Sequence, residues 1–249
     1  MTALPQSPRL ARPCRATITA GLLGCGVVAA AWWLAFDVTG SMRYPGYSYV
    51  DQTISELSAQ GAPTRIFMMV LSGIPYTVLM LAFGVGVWRA ARGRHAGRIA
   101  GALLAAEAVW GFVGGIVFPM ATREIIAAGQ DTLRNQLHAW YGLGMPIFFL
   151  LSVGFGSRLL GTRFRYFSYG IILVTLVSGL VMSMQTGAMT ANEPTPWMGL
   201  EERVTAYAPI LWIAILATGL LRSGAVGERG ATPTIWSTLR QMLAGDPRS

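Results

Sequence analysis

The chain has 249 residues, of which 53% are hydrophobic and only 12% are charged, and its formal net charge is +8. Soluble domains carry about 25% charged residues, so this composition excludes an ordinary soluble enzyme or binding domain. The basic residues are all arginines, and they are divided among several short segments instead of forming one cluster. That distribution argues against a nucleic-acid surface and favours contact with a membrane. We therefore expect a membrane protein with no nucleic-acid partner.

Apolar segments long enough to cross a bilayer, which takes about 20 residues each, occur six times along the chain. They cover residues 17–36, 66–88, 99–120, 139–157, 166–186 and 204–221. Most connecting segments are short, so neighbouring helices should run antiparallel. Pro75 and Pro146 are expected to kink the second and fourth spans. The sequence predicts an all-α fold: a polytopic membrane bundle of six transmembrane helices.

The arginines predict the orientation of this bundle. Of the 19 arginines, 14 lie in the tail 1–16, in the loops after the second and fourth spans, and in the tail 222–249. Basic residues resist translocation, so this side should be cytoplasmic. We expect a multi-pass protein of the plasma membrane with both termini in the cytoplasm. Its arginines should contact anionic lipid headgroups at that face.

The C-terminal tail contains an amphipathic pattern at about residues 233–243. Thr232 and Pro233 suit a helix start, and apolar residues follow at helical spacing. Such a helix is expected to lie on the inner leaflet. A helix that binds a partner protein is the alternative.

The predicted outer loop, residues 37–65, contains the stretch TISELSAQGAP. Asp51 is expected to cap a short helix, with Ile54 and Leu57 on one face and Gly61 at its end. The structural interpretation is a helical plug over the outer mouth of the bundle. The functional interpretation is that Asp51, Ser55 and Glu56 point towards a cavity.

Other polar residues are expected at the same level of the membrane. His138 opens the fourth span after Arg134, and Glu202 and Arg203 open the sixth. Carboxylates beside an arginine and a histidine can bind a headgroup, relay protons or support hydrolysis. The alternative roles are an interfacial hydrogen bond for His138 and pairing with loop charges for Glu202 and Arg203. The candidate binding residues are Asp51, Ser55, Glu56, Arg134, His138, Glu202 and Arg203, and the candidate catalytic residues are His138, Asp51 and Glu56.

Glu107 is an ionisable residue inside the third predicted span. A carboxylate there costs about 2.5 to 3.5 kcal/mol on insertion scales, so it should face the interior and be paired or protonated. One interpretation is structural, with Tyr76, Thr77 or Ser178 as hydrogen-bond partners from other helices. The other is a path for an ion or a proton.

Several catalytic signatures do not occur in the sequence, including H-E-x-x-H, the phosphate-binding loop and G-x-S-x-G. The chain has only two histidines and two cysteines, and neither pair is expected to meet at one site. We expect no metal site and no cofactor.

The order of these features resembles the prokaryotic six-span family catalogued as domain of unknown function 998. The resemblance covers about residues 17–221. It is carried by Ile54, Ser55, Leu57, Gly61, Pro63, His138, Gly199, Glu202 and Arg203. A fainter similarity in the outer loop is to the damage-regulated autophagy modulator family, another six-span group. Neither resemblance implies a reaction.

Three functions remain open. The first is binding of a lipid or small amphiphile in an outer-face polar pocket, or action as a membrane regulator. The second is an intramembrane lipid hydrolase or transferase that uses His138 with Asp51, Glu56 or Glu202. The third is a small-solute or proton-coupled transporter that uses Glu107, although the chain shows no sign of inverted repeats. The sequence leaves the oligomeric state open.

Overall fold

The computed structural model describes residues 11–130 and 133–223, and their regular structure is helical. The helices are α1 (Ala11–Arg43), a 3-10 helix (Ile54–Ser58), a π-helix (Phe67–Gly73) that runs into α2 (Ile74–Ala90), α3 (His95–Val117), α4 (Arg123–Ala127), α5 (Leu133–Gly156), α6 (Thr162–Ser183), α7 (Thr186–Thr190) and α8 (Met198–Arg222). Residues 44–66, the cap, lie over one end of the bundle, next to α4 and α7.

Six helices in the described residues are long and apolar enough to cross a membrane. They cover 16–43, 67–90, 95–117, 133–156, 162–183 and 198–222, and each overlaps one predicted span. The six-span, all-α architecture is therefore confirmed. The first helix continues past the predicted end at residue 36 to Arg43, so Asp37 lies inside it. The predicted amphipathic helix at 233–243 lies outside the described residues.

The long helices pack in a consistent order around the bundle. Helix α3 packs on α2 and α5, α2 packs on α1, α1 packs on α8, and α8 packs on α6. Glycines allow the closest approaches: a Cβ on Gly84 would lie 2.6 Å from the carbonyl oxygen of Gly101, and one on Gly86 would meet the backbone of Leu22 at 2.9 Å. Small residues have the same role in other membrane bundles, where van der Waals contact drives helix association.

The half of the bundle farther from the cap is closed by a buried tryptophan. Trp212 is fully buried, and its ring lies 5.8 Å from that of Phe164 on α6 and 5.9 Å from that of Phe149 on α5. Its indole N–H donates to the hydroxyl of Ser168 at 2.9 Å. Helices α5, α6 and α8 are thus held together near the turn that joins α5 to α6.

In the half nearer the cap, α5 and α6 pack against different neighbouring helices. The hydroxyl of Tyr141 on α5 donates to the carbonyl of Gly111 on α3 at 2.9 Å, whereas Ser178 on α6 hydrogen-bonds Thr205 on α8 at 2.7 Å. None of residues 133–148 of α5 or 176–183 of α6 is fully buried. Helices α5 and α6 also contact each other much less than α5 contacts α3 or α6 contacts α8. We name the gap between these two ranges the lateral opening.

A proline shapes the start of the second span. Pro75 has no N–H, so it cannot satisfy the carbonyl of Leu71 one turn earlier. The indole N–H of Trp32 on α1 donates to that carbonyl at 3.1 Å, and the backbone of residues 67–73 widens into a π-helix. The second span therefore accommodates Pro75 with a local π-helix, and the hydrogen bond from Trp32 joins this π-helix to α1.

Candidate functional site

The most buried ion pair of the described residues joins α1 to α8 beneath the cap. Arg203 donates from Nε and Nη2 to the two carboxylate oxygens of Asp37, each at 3.0 Å. The two side chains are only 2% and 1% exposed. Asp37 also accepts hydrogen bonds from the hydroxyls of Tyr49 and Tyr207. This two-point geometry is the strongest form of an arginine–carboxylate contact.

Arg203 also holds the backbone of the cap. Its Nη1 donates to the carbonyl of Tyr49 at 2.7 Å and to that of Gln52 at 3.2 Å. The guanidinium carbon lies 3.5 Å from the centre of the Tyr49 ring, within the range of a cation–π contact. A Cβ on Gly199 would collide with the carbonyls of Tyr49, Val50 and Gln52. Gly199 and Arg203 therefore both serve to dock the cap on α8.

The hydroxyl of Tyr47 extends this contact. It accepts from Nη2 of Arg203 at 3.0 Å and donates to the carbonyl of Thr53 at 2.7 Å. Burial raises the pKa of Tyr47, and hydrogen bonding from Arg203 opposes the rise only in part. The phenol therefore keeps its proton and remains a donor to the cap backbone.

A second buried pair ties the cap to α4. Arg123 donates from Nη2 and Nε to the carboxylate of Glu56, at 2.8 and 3.0 Å. Its Nη1 donates to the hydroxyl of Thr195, which precedes α8, at 2.8 Å, and Nη2 also reaches the carbonyl of Asp51. Glu56 therefore faces this ion pair and not a free cavity.

The start of the 3-10 helix differs from the sequence prediction. Thr53 is its N-cap, and Glu56 accepts from the N–H and the hydroxyl of Thr53 at 2.9 and 3.1 Å. The assignment of Asp51 as the cap residue is wrong, because Thr53-x-x-Glu56 forms a capping box instead. Asp51 accepts from the hydroxyl of Ser48 at 2.9 Å and from the backbone N–H of Trp197 at 3.1 Å.

Glu202 faces the underside of the cap. Its carboxylate accepts from the backbone N–H of Ile54 and from the hydroxyl of Ser55, the latter at 3.0 Å. Both donors are neutral, and no arginine forms a salt bridge with Glu202 within residues 11–130 and 133–223. Protein atoms surround the carboxylate, yet the side chain stays partly accessible. Glu202 is thus an acidic group at the edge of the bundle interior.

His138 and Arg134 lie apart from the cap network. Nδ1 of His138 is 2.7 Å from the carbonyl oxygen of Phe118, which can only accept, so Nδ1 carries the proton. In the described part of the chain, no hydrogen bond joins His138 to a carboxylate. Arg134 is exposed at the start of α5. The structure brings together five of the seven candidate binding residues, and these are Asp51, Ser55, Glu56, Glu202 and Arg203.

Sequence reasoning misses one member of each buried ion pair, Asp37 and Arg123. The predicted outer loop includes Asp37, and no sequence pattern gives Arg123 a role. The capping box of Thr53 and Glu56 was the one local signal available. Nothing local marks Asp37 and Arg123, because each is paired across a long sequence separation.

Glu107 lies near the middle of α3. It is the 13th of the 23 residues of α3, which places it about 18 Å from the start of the helix and about 15 Å from its end. Its Oε2 atom is buried without a hydrogen-bond partner among the residues that the structure describes. Two of the expected partners are engaged elsewhere: Thr77 donates to the carbonyl of Gly73, and Ser178 bonds within α6 and to α8. The expected pairing through Thr77 or Ser178 is not formed.

Comparison with known families gives one match. A family model described as a protein of unknown function, DUF998, matches residues 27–219, more than three quarters of the chain. The chain belongs to the DUF998 family. The match includes the whole cap and both buried ion pairs, and it confirms the resemblance seen in the sequence. No curated protein and no solved structure matches the chain. DUF998 membership brings no reaction with it, so the function has to be argued from the geometry.

Proposed function

We propose that this DUF998 protein binds a membrane lipid or another small amphiphile inside the half of the bundle nearer the cap. The observation that carries the proposal is the lateral opening between residues 133–148 of α5 and 176–183 of α6. A gap between two membrane helices faces acyl chains, not water. A molecule that enters there must therefore be at least partly apolar.

The cap supports entry from the bilayer. Two buried ion pairs, Arg203 with Asp37 and Arg123 with Glu56, lie beneath and beside the cap. These contacts close the end of the bundle with fixed hydrogen bonds. Glu202 beneath the cap is only partly accessible and has neutral donors, so it can meet the polar end of a bound amphiphile.

Binding is favoured over hydrolysis by the position of His138. A general base needs to reach the proton that it removes and is usually oriented by a carboxylate. His138 is instead held by a backbone carbonyl, and Asp51, Glu56 and Glu202 are hydrogen-bonded to other groups. The third hypothesis, a transporter, depends instead on Glu107.

The proposal includes the orientation, with the cap outside, both termini in the cytoplasm and the protein in the plasma membrane. The distribution of arginines supports it. In a background with Cys14→Ser and Cys25→Ser, a cysteine at the exposed Gln60 should react with a membrane-impermeant maleimide in intact cells. A cysteine at the exposed Thr162, at the opposite end, should react only after lysis. The reverse pattern would overturn the orientation.

The binding proposal is tested by filling the space that it requires. Ala206 lies one helical turn from Glu202 on the same face of α8 and is partly accessible. Native mass spectrometry of the protein purified in a mild detergent should detect a retained lipid or amphiphile. Ala206→Phe should abolish this retention and leave thermal unfolding nearly unchanged. Val204→Phe, on the exposed face of the same helix, is the control and should retain the ligand.

Two results would count against binding. One is the absence of any specifically retained molecule in the parent protein. The other is a large loss of stability in Ala206→Phe and in the milder Ala206→Leu, because that would show a packed interior with no room for a ligand.

A further inference from the structure

The interior of the bundle contains an acidic group, Glu107, that forms no ion pair with the described residues. Glu107 shares one face of α3 with Gly111 and Gly114, which pack on Met145 and Tyr141 of α5. The Glu107 side chain is partly accessible, and within the described residues its Oε2 atom is buried without a hydrogen-bond partner. Tyr76 on α2 lies within electrostatic range of Glu107, and no hydrogen bond is formed by its hydroxyl in residues 11–130 and 133–223.

No cation among the described residues lies near this carboxylate. The chain has no lysine. The described arginines lie near the two ends of the spans, whereas Glu107 is about 15 Å from the nearer end of α3. An uncompensated polar group at this depth is costly, and such groups in membrane spans mark functional sites. Its unused acceptor calls for a ligand that brings a donor, and preferably a positive charge.

The depth of Glu107 restricts what the ligand can be. A phospholipid keeps its headgroup at the membrane surface, about 15 Å from the carboxylate, so its amine cannot reach Glu107. A compact molecule with an amine on an apolar skeleton can dissolve in the bilayer, pass through the lateral opening and reach this level. The ring of Trp110, one turn away on α3, and that of Tyr141 offer aromatic contacts there.

We propose that the bundle binds a small lipophilic amine, whose protonated nitrogen donates to Glu107. This inference rests on the proposed function, because it names the class of amphiphile that the interior accepts. The amine supplies a hydrogen-bond donor and a positive charge to the Glu107 carboxylate in one group. Binding forms and breaks no covalent bond.

A matched pair of probes tests the inference. 1-Aminoadamantane and 1-adamantanol have the same apolar skeleton and differ in the charge of one substituent. Binding is measured by isothermal titration calorimetry with the full chain in phosphatidylcholine nanodiscs, and empty nanodiscs give the membrane background. The parent protein should bind the amine at least about 10-fold more tightly than the alcohol, as expected for a charge-assisted hydrogen bond.

Three variants test whether Glu107 causes the difference in affinity between the amine and the alcohol. Glu107→Gln should lower affinity for the amine at least about 10-fold and change affinity for the alcohol by less than about 3-fold. Glu201→Gln is the control, because Glu201 already bonds Gln185 at the cap end, and it should leave both affinities unchanged. If Glu107→Gln does not fold, Glu107→Asp replaces it, since the shorter side chain keeps the charge but withdraws it from the ligand.

The outcomes separate this inference from the proposed function. Equal affinity for the amine and the alcohol, or an unchanged affinity for the amine in Glu107→Gln, overturns the role of Glu107. A retained lipid that Ala206→Phe displaces would still support amphiphile binding in that case. Failure of both probes to bind, together with no retained lipid, overturns both proposals.

Discussion

Replacing Arg203 with methionine should release the cap from the bundle. The change removes both contacts to Asp37 and both to the carbonyls of Tyr49 and Gln52, and it leaves the carboxylate of Asp37 buried without its cation. Breaking one partner of such a buried pair costs about 3 to 5 kcal/mol. Because Arg203 contacts the cap directly, most of this cost should appear as local opening of the cap and not as global unfolding.

Opening of the cap can be measured through a buried thiol. Ala59 lies in the cap and is 0% exposed, so a cysteine at this position, in the Cys14→Ser and Cys25→Ser background, reacts only when the cap opens. A loss of about 3 kcal/mol raises the population of the open state on the order of 100-fold, and the maleimide labelling rate should rise by the same factor. Arg134→Met, at an exposed position, is the matched control and should leave the rate unchanged.

A double variant isolates the ion pair. Adding Asp37→Asn to Arg203→Met removes the uncompensated charge, so the labelling rate should fall back towards that of the parent, although the orphaned carbonyls keep it elevated. A labelling rate in Arg203→Met within about 3-fold of the parent would refute the reasoning, because it would mean that the pair does not hold the cap.

Three further predictions concern other buried contacts. Arg123→Met should raise labelling at Ala59→Cys on the order of 10-fold or more, since it leaves Glu56 uncompensated; an unchanged rate would show that α4 does not hold the cap. Gly199→Ala should lower the stability of the detergent-solubilised protein to thermal unfolding by about 2 kcal/mol or more, because the added methyl group meets three cap carbonyls. The control Gly142→Ala, which has open space around it, should be neutral or slightly stabilising. Equal effects of the two substitutions would contradict the close approach of Gly199 to the cap. Thr175→Val should be neutral or stabilise the protein by about 1 kcal/mol, because the hydroxyl of Thr175 is buried with no hydrogen-bond partner among the described residues. A loss of stability greater than about 1 kcal/mol would show that the hydroxyl has a partner.

The cap shows where local sequence signals compete. Asp51 and Thr53 are both good N-cap residues, and the sequence does not say which of them starts the helix. The structure selects Thr53, because Glu56 three residues later completes the capping box and Arg123 then neutralises Glu56. Asp51 instead accepts a hydrogen bond from the backbone N–H of Trp197. The choice depends on an arginine 67 residues away from Glu56 in the chain.

The lateral opening is a second feature that local sequence signals do not predict. Helices α5 and α6 have the apolar composition of ordinary spans, and the short turn between them predicts that they pack along their whole length. In the structure, Tyr141 and Met145 of α5 pack against glycines 111 and 114 of α3. Helix α6 instead packs against α8, where Ser178 hydrogen-bonds Thr205. The gap arises from these competing contacts, and hydropathy does not record which neighbour a helix prefers.

Sequence patterns alone predict six helices long and apolar enough to cross a membrane, close to where the structure has them, and the resemblance to DUF998 that the family model confirms. These properties follow from apolar length and local motifs, because a bilayer accepts only segments that satisfy their own backbone hydrogen bonds. Only the three-dimensional contacts reveal that Asp37 pairs with Arg203, that His138 bonds a backbone carbonyl, and that Oε2 of Glu107 has no hydrogen-bond partner among the described residues. The physical reason is that charge pairing inside a bundle depends on which helix faces meet, and that is set by contacts between residues far apart in the chain.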